Sequence, residues 1–211
     1  MGTNMQNVTI IILIYLVSIS STCKRRIDCT QQVYSFSTTA RAYQDRDSIN
    51  INDTIWVEFN EPTTFMDDQT GQNINFSNAA NLGFGLTFDK FVGGSISNPG
   101  TIAAVSNFST ILIYGTELTS LLPDRIKSYG FLEETGRYKF KIGIVTKQKG
   151  VFSISISNAA NVYRRNDGCP KAGFSITFAN TNQHMYYYEQ NRPGYTPSQY
   201  EQTHMYCFKV K

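Results

Sequence analysis

Histidine is the scarcest reactive side chain in this 211-residue chain, present only as His184 and His204. A Ser-His-Asp arrangement needs an imidazole base held by a carboxylate, and both histidines fall in a tyrosine-rich tail, where packing is their ordinary use. The sequence holds no Gly-x-Ser-x-Gly elbow, phosphate loop or dinucleotide fingerprint. The adjacent carboxylates Asp67/Asp68 and Glu133/Glu134 would point to opposite faces of a strand, which does not build the facing pair of a glycosidase. The chain is therefore expected not to be an enzyme, and a secreted hydrolase using His184 or His204 is the rival reading. Charge is thin as well: 17% of residues are Asp, Glu, Lys or Arg, and the formal net charge is +3. Bulk charge so close to neutral predicts no polyanionic partner, so nucleic acid is not expected. The four cysteines form no Cys-x-x-Cys pair, and with so few imidazoles beside them no zinc site, other metal or cofactor is expected. Long amphipathic stretches are missing too, which removes the helical crossovers that a parallel sheet requires.

What the chain does contain begins with a leader. Ile10 to Val17 is unbroken apolar or aromatic sequence, Ser18 to Thr22 is small and polar, and Cys23 is followed by Lys24, Arg25 and Arg26. A spanning helix needs roughly 20 apolar residues and a signal core about 7 to 15; the run from Val8 to Ile19 belongs to the second class. The order resembles an export signal ending at a lipid-acceptor cysteine, with Cys23 as the lipidation site. Ser20 and Thr22 stand where a bacterial lipobox has Leu and a small residue, so cleavage to a soluble secreted protein stays open. The absence of Lys or Arg before the run also leaves an uncleaved anchor as an alternative. Residues 1–22 are read as the leader, 23–31 as a tether and 32–211 as a single domain, exported to the cell envelope or secreted.

Hydrophobic content of 41%, with 13% aromatics, is enough to build a core. Val33 to Tyr43 alternates, placing Tyr34, Phe36, Thr38, Ala40 and Ala42 on one face. Thr54 to Phe59 puts Ile55, Val57 and Phe59 inward with Trp56 and Glu58 opposite. Gly136 to Thr146 buries Tyr138, Phe140, Ile142 and Ile144 and turns Arg137, Lys139 and Lys141 outward. Val151 to Ser157 reads as its hairpin partner. Strands are also expected at Gly83 to Phe88, Gly173 to Phe178 and Met205 to Val210, and two short ones between Thr101 and Tyr114. Glu117 to Tyr129 carries Leu118, Leu121, Leu122 and Ile126 at near-helical spacing and reads as a turn or short helix, and Asn161 to Lys171 as a charged loop. Asn182 to Asn191 reads as a short helix, followed by a turn capped by Thr196 with Pro197 first. Many short strands with turn signals between them indicate an all-β, immunoglobulin-like antiparallel sandwich with one or two short helical turns. Ser77 to Asn81 and Ser157 to Asn161 are the same five residues; two similar strand-to-loop corners explain the echo more simply than a duplicated half-sandwich.

The Cys23-Lys24-Arg25-Arg26 junction, the Asp47-Ser48-Ile49 to Asp53-Thr54-Ile55-Trp56 turn and strand, and the closing Tyr206-Cys207-Phe208-Lys209-Val210 resemble small uncharacterised lipoproteins of Bacteroidota-type bacteria. The resemblance implies an envelope location, a lipid anchor in the membrane and a β-sandwich, and it supplies no catalytic or ligand residue.

A non-catalytic module that binds a protein or glycan is the leading functional reading, with a structural envelope component as the alternative. Tyr186, Tyr187, Tyr188, Tyr195 and Tyr200 form the candidate binding surface, since tyrosine offers a flat apolar face and a hydroxyl for stacking on a sugar or anchoring a protein; they would equally cover the end of a sandwich. Arg137, Lys139, Lys141, Lys147 and Lys149 form a basic strip suited to an anionic glycan or nucleic acid, or simply to protecting an edge strand. Asp45, Asp47 and Asp53, or Asp67, Asp68 and Asn73, carry oxygens of the kind Ca2+ takes, although turns use the same residues. Cys29, Cys169 and Cys207 are candidate disulfide partners whose pairing spacing cannot choose. Sequons stand at Asn52, Asn75 and Asn107.

Overall fold

The computed structural model describes residues 33–44, 46–93, 100–165, 167–180 and 183–211, all within the compact unit Gln31–Lys211. The expected leader, and with it Cys23 and Cys29, lies outside the described residues, as does Asp45.

Period-two alternation decides which side chains meet. In β1 (Val33–Tyr43), β3 (Thr54–Pro62) and β13 (Arg137–Thr146) the inward residues are those that alternation selects, and Phe36, Ile55, Val57, Phe140, Ile142 and Ile144 are fully buried. These strands join β12 (Leu132–Glu134), β16 (Asp167–Phe178), β15 (Ala159–Arg164) and β6 (Ala79–Ala80) in the order β12-β13-β3-β1-β16-β15-β6. β9 (Phe108–Tyr114) pairs with the C-terminal half of β13, on the side where β12 pairs with its start.

The second sheet runs β10 (Thr116–Leu118), β11 (Ile126–Gly130), β7 (Gly83–Phe91), β14 (Gly150–Ile156), β17 (Met205–Val210) and β2 (Ser48–Ile49), with β8 (Thr101–Ala103) against β7. Its Phe84, Leu86, Phe88, Phe152, Ile154, Ile156, Tyr206 and Phe208 enter the same core as the inward residues of the first sheet. A separate hairpin of β4 (Thr64–Met66) and β5 (Asn73–Asn75) contributes Phe65. That ring packs with Phe36 and Phe174 at centroid distances of 5.3 and 5.0 Å, and both of those pack with Phe76 at 5.6 and 6.0 Å. The result is the all-β sandwich expected from the sequence.

Several local expectations are corrected. Two strand pairs, β1 with β16 and β2 with β17, are parallel. β1 changes neighbours midway, pairing with β16 over Val33 to Ala40 and with β3 over Arg41 to Tyr43. The Asn180 side chain then prolongs the first ladder, accepting from Ala42 N at 2.9 Å and donating to Ala42 O at 2.7 Å. β14 is not the hairpin partner of β13: it crosses to the other sheet and pairs with β7 and β17. Alternation fixes which face of a strand is buried and leaves the sheet it joins undetermined, so either arrangement satisfies it. The real hairpin at β13 is with β12, turned by Thr135 and Gly136 at φ 50° and 71°, the left-handed pair that a two-residue turn of this type requires. Glu117 to Tyr129 holds the expected turn, where Arg125 N and Ile126 N donate to Leu122 O, but no short helix; β10 and β11 flank it, and Leu121 is 99% exposed. Asn161 to Lys171 is mostly the β15–β16 hairpin. The final helix starts after Ser198, and Thr196 does not cap it.

Candidate functional site

The tyrosine-rich tail folds as α1 (Tyr186–Asn191) and α2 (Gln199–His204). α1 packs against β17 of the second sheet, and α2 against β16 of the first sheet and β14 of the second. Tyr188 is buried and packs with Phe91, Met205 and Cys207, its ring edge-on to Phe91 at 5.9 Å. Its hydroxyl donates to Glu201 and accepts from Arg192, whose guanidinium lies over Tyr195 at 4.0 Å. Burial pushes the Glu201 carboxyl up, but hydrogen bonds from Tyr188 and Ser198 outweigh it and leave the group below the ordinary carboxylate value. Tyr187 donates to Asp47 O at 2.8 Å, and Tyr200 stacks on His204 at 3.8 Å. Of the five tyrosines, Tyr188 presents no surface. Tyr186, Tyr195 and Tyr200 are 36%, 38% and 50% exposed, and Tyr187 less so.

The outer face of the larger sheet carries a different set of groups. Opposite the core, β3 presents Trp56, Glu58 and Asn60, and β13 presents Arg137, Lys139, Lys141 and Gly143. Register places Trp56 between Tyr43 and Gly143, Glu58 between Arg41 and Lys141, and Asn60 beside Lys139. The Trp56 indole lies over Gly143: a Cβ there would meet its Cζ3 at 2.9 Å and Cη2 at 3.0 Å. Absence of a side chain lets the ring approach the strand backbone closely at that point.

A second feature brings Tyr114 to the same face. Gly143 pairs with Ile111 and Ile142 with Leu112, but Lys141 pairs with Tyr114 because the register shifts by one residue. Unshifted alternation would send Tyr114 inward; the shift re-aims it outward, as bulges beside sites commonly do. A cleft of about 280 Å3 results, lined by Glu58, Phe59, Asn60, Tyr114, Lys139 and Lys141.

The cations sit among the rings. Lys141 Nζ is 5.7 Å from the Trp56 ring and 5.9 Å from Tyr43, and Lys139 Nζ is 5.7 Å from Tyr114, within cation–π range. Lys139 contacts Glu134 at 2.7 Å, while Lys141 stands 3.7 Å from Glu58. A hydrogen bond to Glu58, burial and the charge of Glu58 raise the Tyr43 pKa. Alternation turns Trp56, Lys139, Lys141 and Tyr43 outward, but register alone sets Tyr43 beside Trp56 and the register shift alone brings Tyr114 to this face. Lys147 and Lys149 stand outside the cleft lining.

The other candidates have structural employment. Asp67 is buried and accepts from Ser35 N at 2.9 Å and from Thr70 N and Oγ1 at 3.1 and 2.7 Å. Asp68 accepts from Ser35 and Ser37 hydroxyls, and Asp53 from Asn50 N at 2.7 Å. No group of three or more metal-type ligands occurs among the described residues. His184 Nε2 is 3.6 Å from Asp47 and its Nδ1 is 3.1 Å from Cys207 O, so that ring edge is turned to a carbonyl. His204 bonds through Nε2 to Asn158 Oδ1 at 3.0 Å, with Thr203 Oγ1 and Tyr200 O at its Nδ1. Burial lowers the His204 pKa. Among the described contacts, His184 meets Asp47 and a carbonyl and His204 an amide, a hydroxyl and a carbonyl. Cys169 is disulfide-bonded and Cys207 is a free, buried thiol, so Cys207 leaves the candidate disulfide set. The Asn52 and Asn75 sequons are exposed, whereas Asn107 is buried and bonded to Gln148.

No protein-family model matches the chain, and no curated relative matches it in sequence. Among solved structures, a type II cohesin domain from the cellulosome of Acetivibrio cellulolyticus is 10% identical, covering 68% of this chain and 91% of its own at a TM-score of 0.28. The type I cohesin–dockerin complex from Clostridium thermocellum matches with 13% identity over 65% of this chain and 99% of that one, at a TM-score of 0.25. The CupB6 tip adhesin of Pseudomonas aeruginosa matches with 11% identity over 69% and 40%, at 0.20. Superpositions this loose leave the function to be argued from the residues themselves.

Proposed function

We propose that this chain is a non-catalytic binding module that uses the outer face of its larger sheet to hold a saccharide, exported and tethered to the envelope through Cys23. The observation that carries the reading is the Trp56 indole packed against Gly143, flanked by Tyr43 and by a cleft with Tyr114 on its wall. A flat apolar ring presents the shape that the apolar face of a sugar matches, and the amide, carboxylate and ammonium groups of Asn60, Glu58 and Lys141 offer both acceptors and donors to hydroxyls. The site is on rigid strands, so little ordering entropy opposes binding. Trp56 is the single tryptophan of the chain, so its emission reports on the site. Titration with a saccharide panel is expected to change that emission, and Trp56→Ala is expected to abolish retention on the same saccharides while urea unfolding stays cooperative. Retention that survives Trp56→Ala and is lost in Tyr195→Ala would move the site to the helical cover.

A further inference from the structure

We infer that the saccharide held on this face is acidic, its carboxylate or sulfate group received by Lys139 and Lys141 while Trp56 stacks on the ring; the inference rests on the binding-module reading above. Four cations, Arg41 on β1 and Arg137, Lys139 and Lys141 at alternate positions of β13, project from the two strands that flank β3. Their existing partners differ. Arg137 is committed to neutral acceptors, giving Nε to Asn60 Oδ1 at 2.7 Å and Nη2 to Asn60 O at 2.6 Å. Lys139 gives one proton to Glu134 at 2.7 Å and, like any ammonium, has others to donate. Lys141 stands 3.7 Å from Glu58, beyond the 2.7–3.2 Å of a direct N–H···O bond, so its charge is only partly answered. Both ammonium groups belong to the wall of one cleft, and their side chains are 23% and 32% exposed. Partial burial weakens screening, which strengthens attraction to a ligand anion.

The arrangement also selects among anions. Glu58 lies between Arg41 and Lys141 in register, and Glu134 is bonded to Lys139. Carboxylates interleaved with the cations would repel a continuous phosphate chain, whereas a sugar carrying one acid per ring places its charge at the lysines and its hydroxyls at Glu58 and Asn60. The cleft, near the lower end of the roughly 300–1,000 Å3 range for small-molecule sites, suits a short stretch of such a chain.

The test is a Trp56 emission titration of the intact protein with tetragalacturonate, its fully methyl-esterified form, sulfated galactan fragments, neutral galactan fragments and a single-stranded oligonucleotide. The expected result is that tetragalacturonate or the sulfated fragments bind at least about tenfold tighter than the esterified and neutral counterparts. Lys139→Ala and Lys141→Ala should each weaken that binding by roughly tenfold, as loss of a hydrogen bond to a charged group does. Retention of the wild-type unfolding midpoint would show the substitutions to be local, since exposed ion pairs add little stability. Preference for the uronate or for the sulfate names the acid group. Equal binding of charged and neutral fragments, unaffected by either lysine substitution, overturns the inference and leaves the binding module standing. Oligonucleotide binding as tight as that of the best saccharide also overturns it. No binding by any saccharide removes both readings.

Discussion

A methyl group at position 143 would sit 2.9 Å from Trp56 Cζ3 and 3.0 Å from Thr54 Cγ2, so the Trp56 ring depends on a residue with no side chain of its own. Gly143→Ala is expected to tilt the indole off the strand, red-shifting its emission and weakening saccharide binding, with unfolding stability little changed; an unshifted emission maximum would mean that the ring does not rest there. Asp67 shows another one-residue dependence. The Ser35 backbone hydrogen bond, followed by the Thr70 hydroxyl, holds its carboxyl below the ordinary value of 3.8. A folded-state pKa below the unfolded one contributes stability that is complete above 3.8 and is lost as pH falls through the lower, folded value. Asp67→Asn should therefore lower the urea midpoint at neutral pH and flatten its decline in acid. An undiminished acid decline in the variant would assign that sensitivity elsewhere. At this scale the sequence was informative about Trp56, Lys139 and Lys141, whose outward direction follows from alternation alone. It was silent about Gly143, whose role exists only once a neighbouring strand lays a ring across it.

At the scale of elements, the helical cover and the β9 register shift are the parts that local reading handled least well. The tyrosines between Tyr186 and Tyr200 looked like a surface because their spacing carries no sign of the small apolar patch of Phe91, Met205 and Cys207 beneath them. The Cys207 thiol lies in that patch, and burial pushes its pKa up, so labelling should require the cover to open. α2 is secured by a capping box in which Ser198 accepts from Glu201 N and Glu201 accepts from Ser198 N. Ser198→Ala is expected to cost about 1 kcal/mol and to accelerate Cys207 labelling by a thiol reagent severalfold without altering saccharide binding. Labelling at the wild-type rate would show that the helix does not control access. The β9 shift was not visible in sequence because Phe108 to Tyr114 alternates acceptably in either register, and only its pairing with β13 reveals the extra residue.

For the whole molecule, the strands themselves were largely legible: the buried sides of β1, β3, β13 and β14 follow from period-two patterning. Their assignment to sheets was not, because the crossing from β13 to β14 and the parallel pairing of β1 with β16 depend on contacts distant in sequence. The site inherits that uncertainty. It is assembled from β1, β3, β9 and β13, four strands spread over most of the domain, and no local motif announces it. The helical cover lies away from the candidate site: α1 packs on β17 and α2 on β16 and β14, while β1, β3 and β9 expose Arg41, Asn60, Ile111 and Tyr114. Backbone and indole chemical-shift mapping during titration with tetragalacturonate tests that separation most directly. The account predicts perturbations centred on the Trp56 indole and on Tyr43, Tyr114, Lys139 and Lys141, with residues 186–204 unmoved; perturbations confined to 186–204 would contradict it.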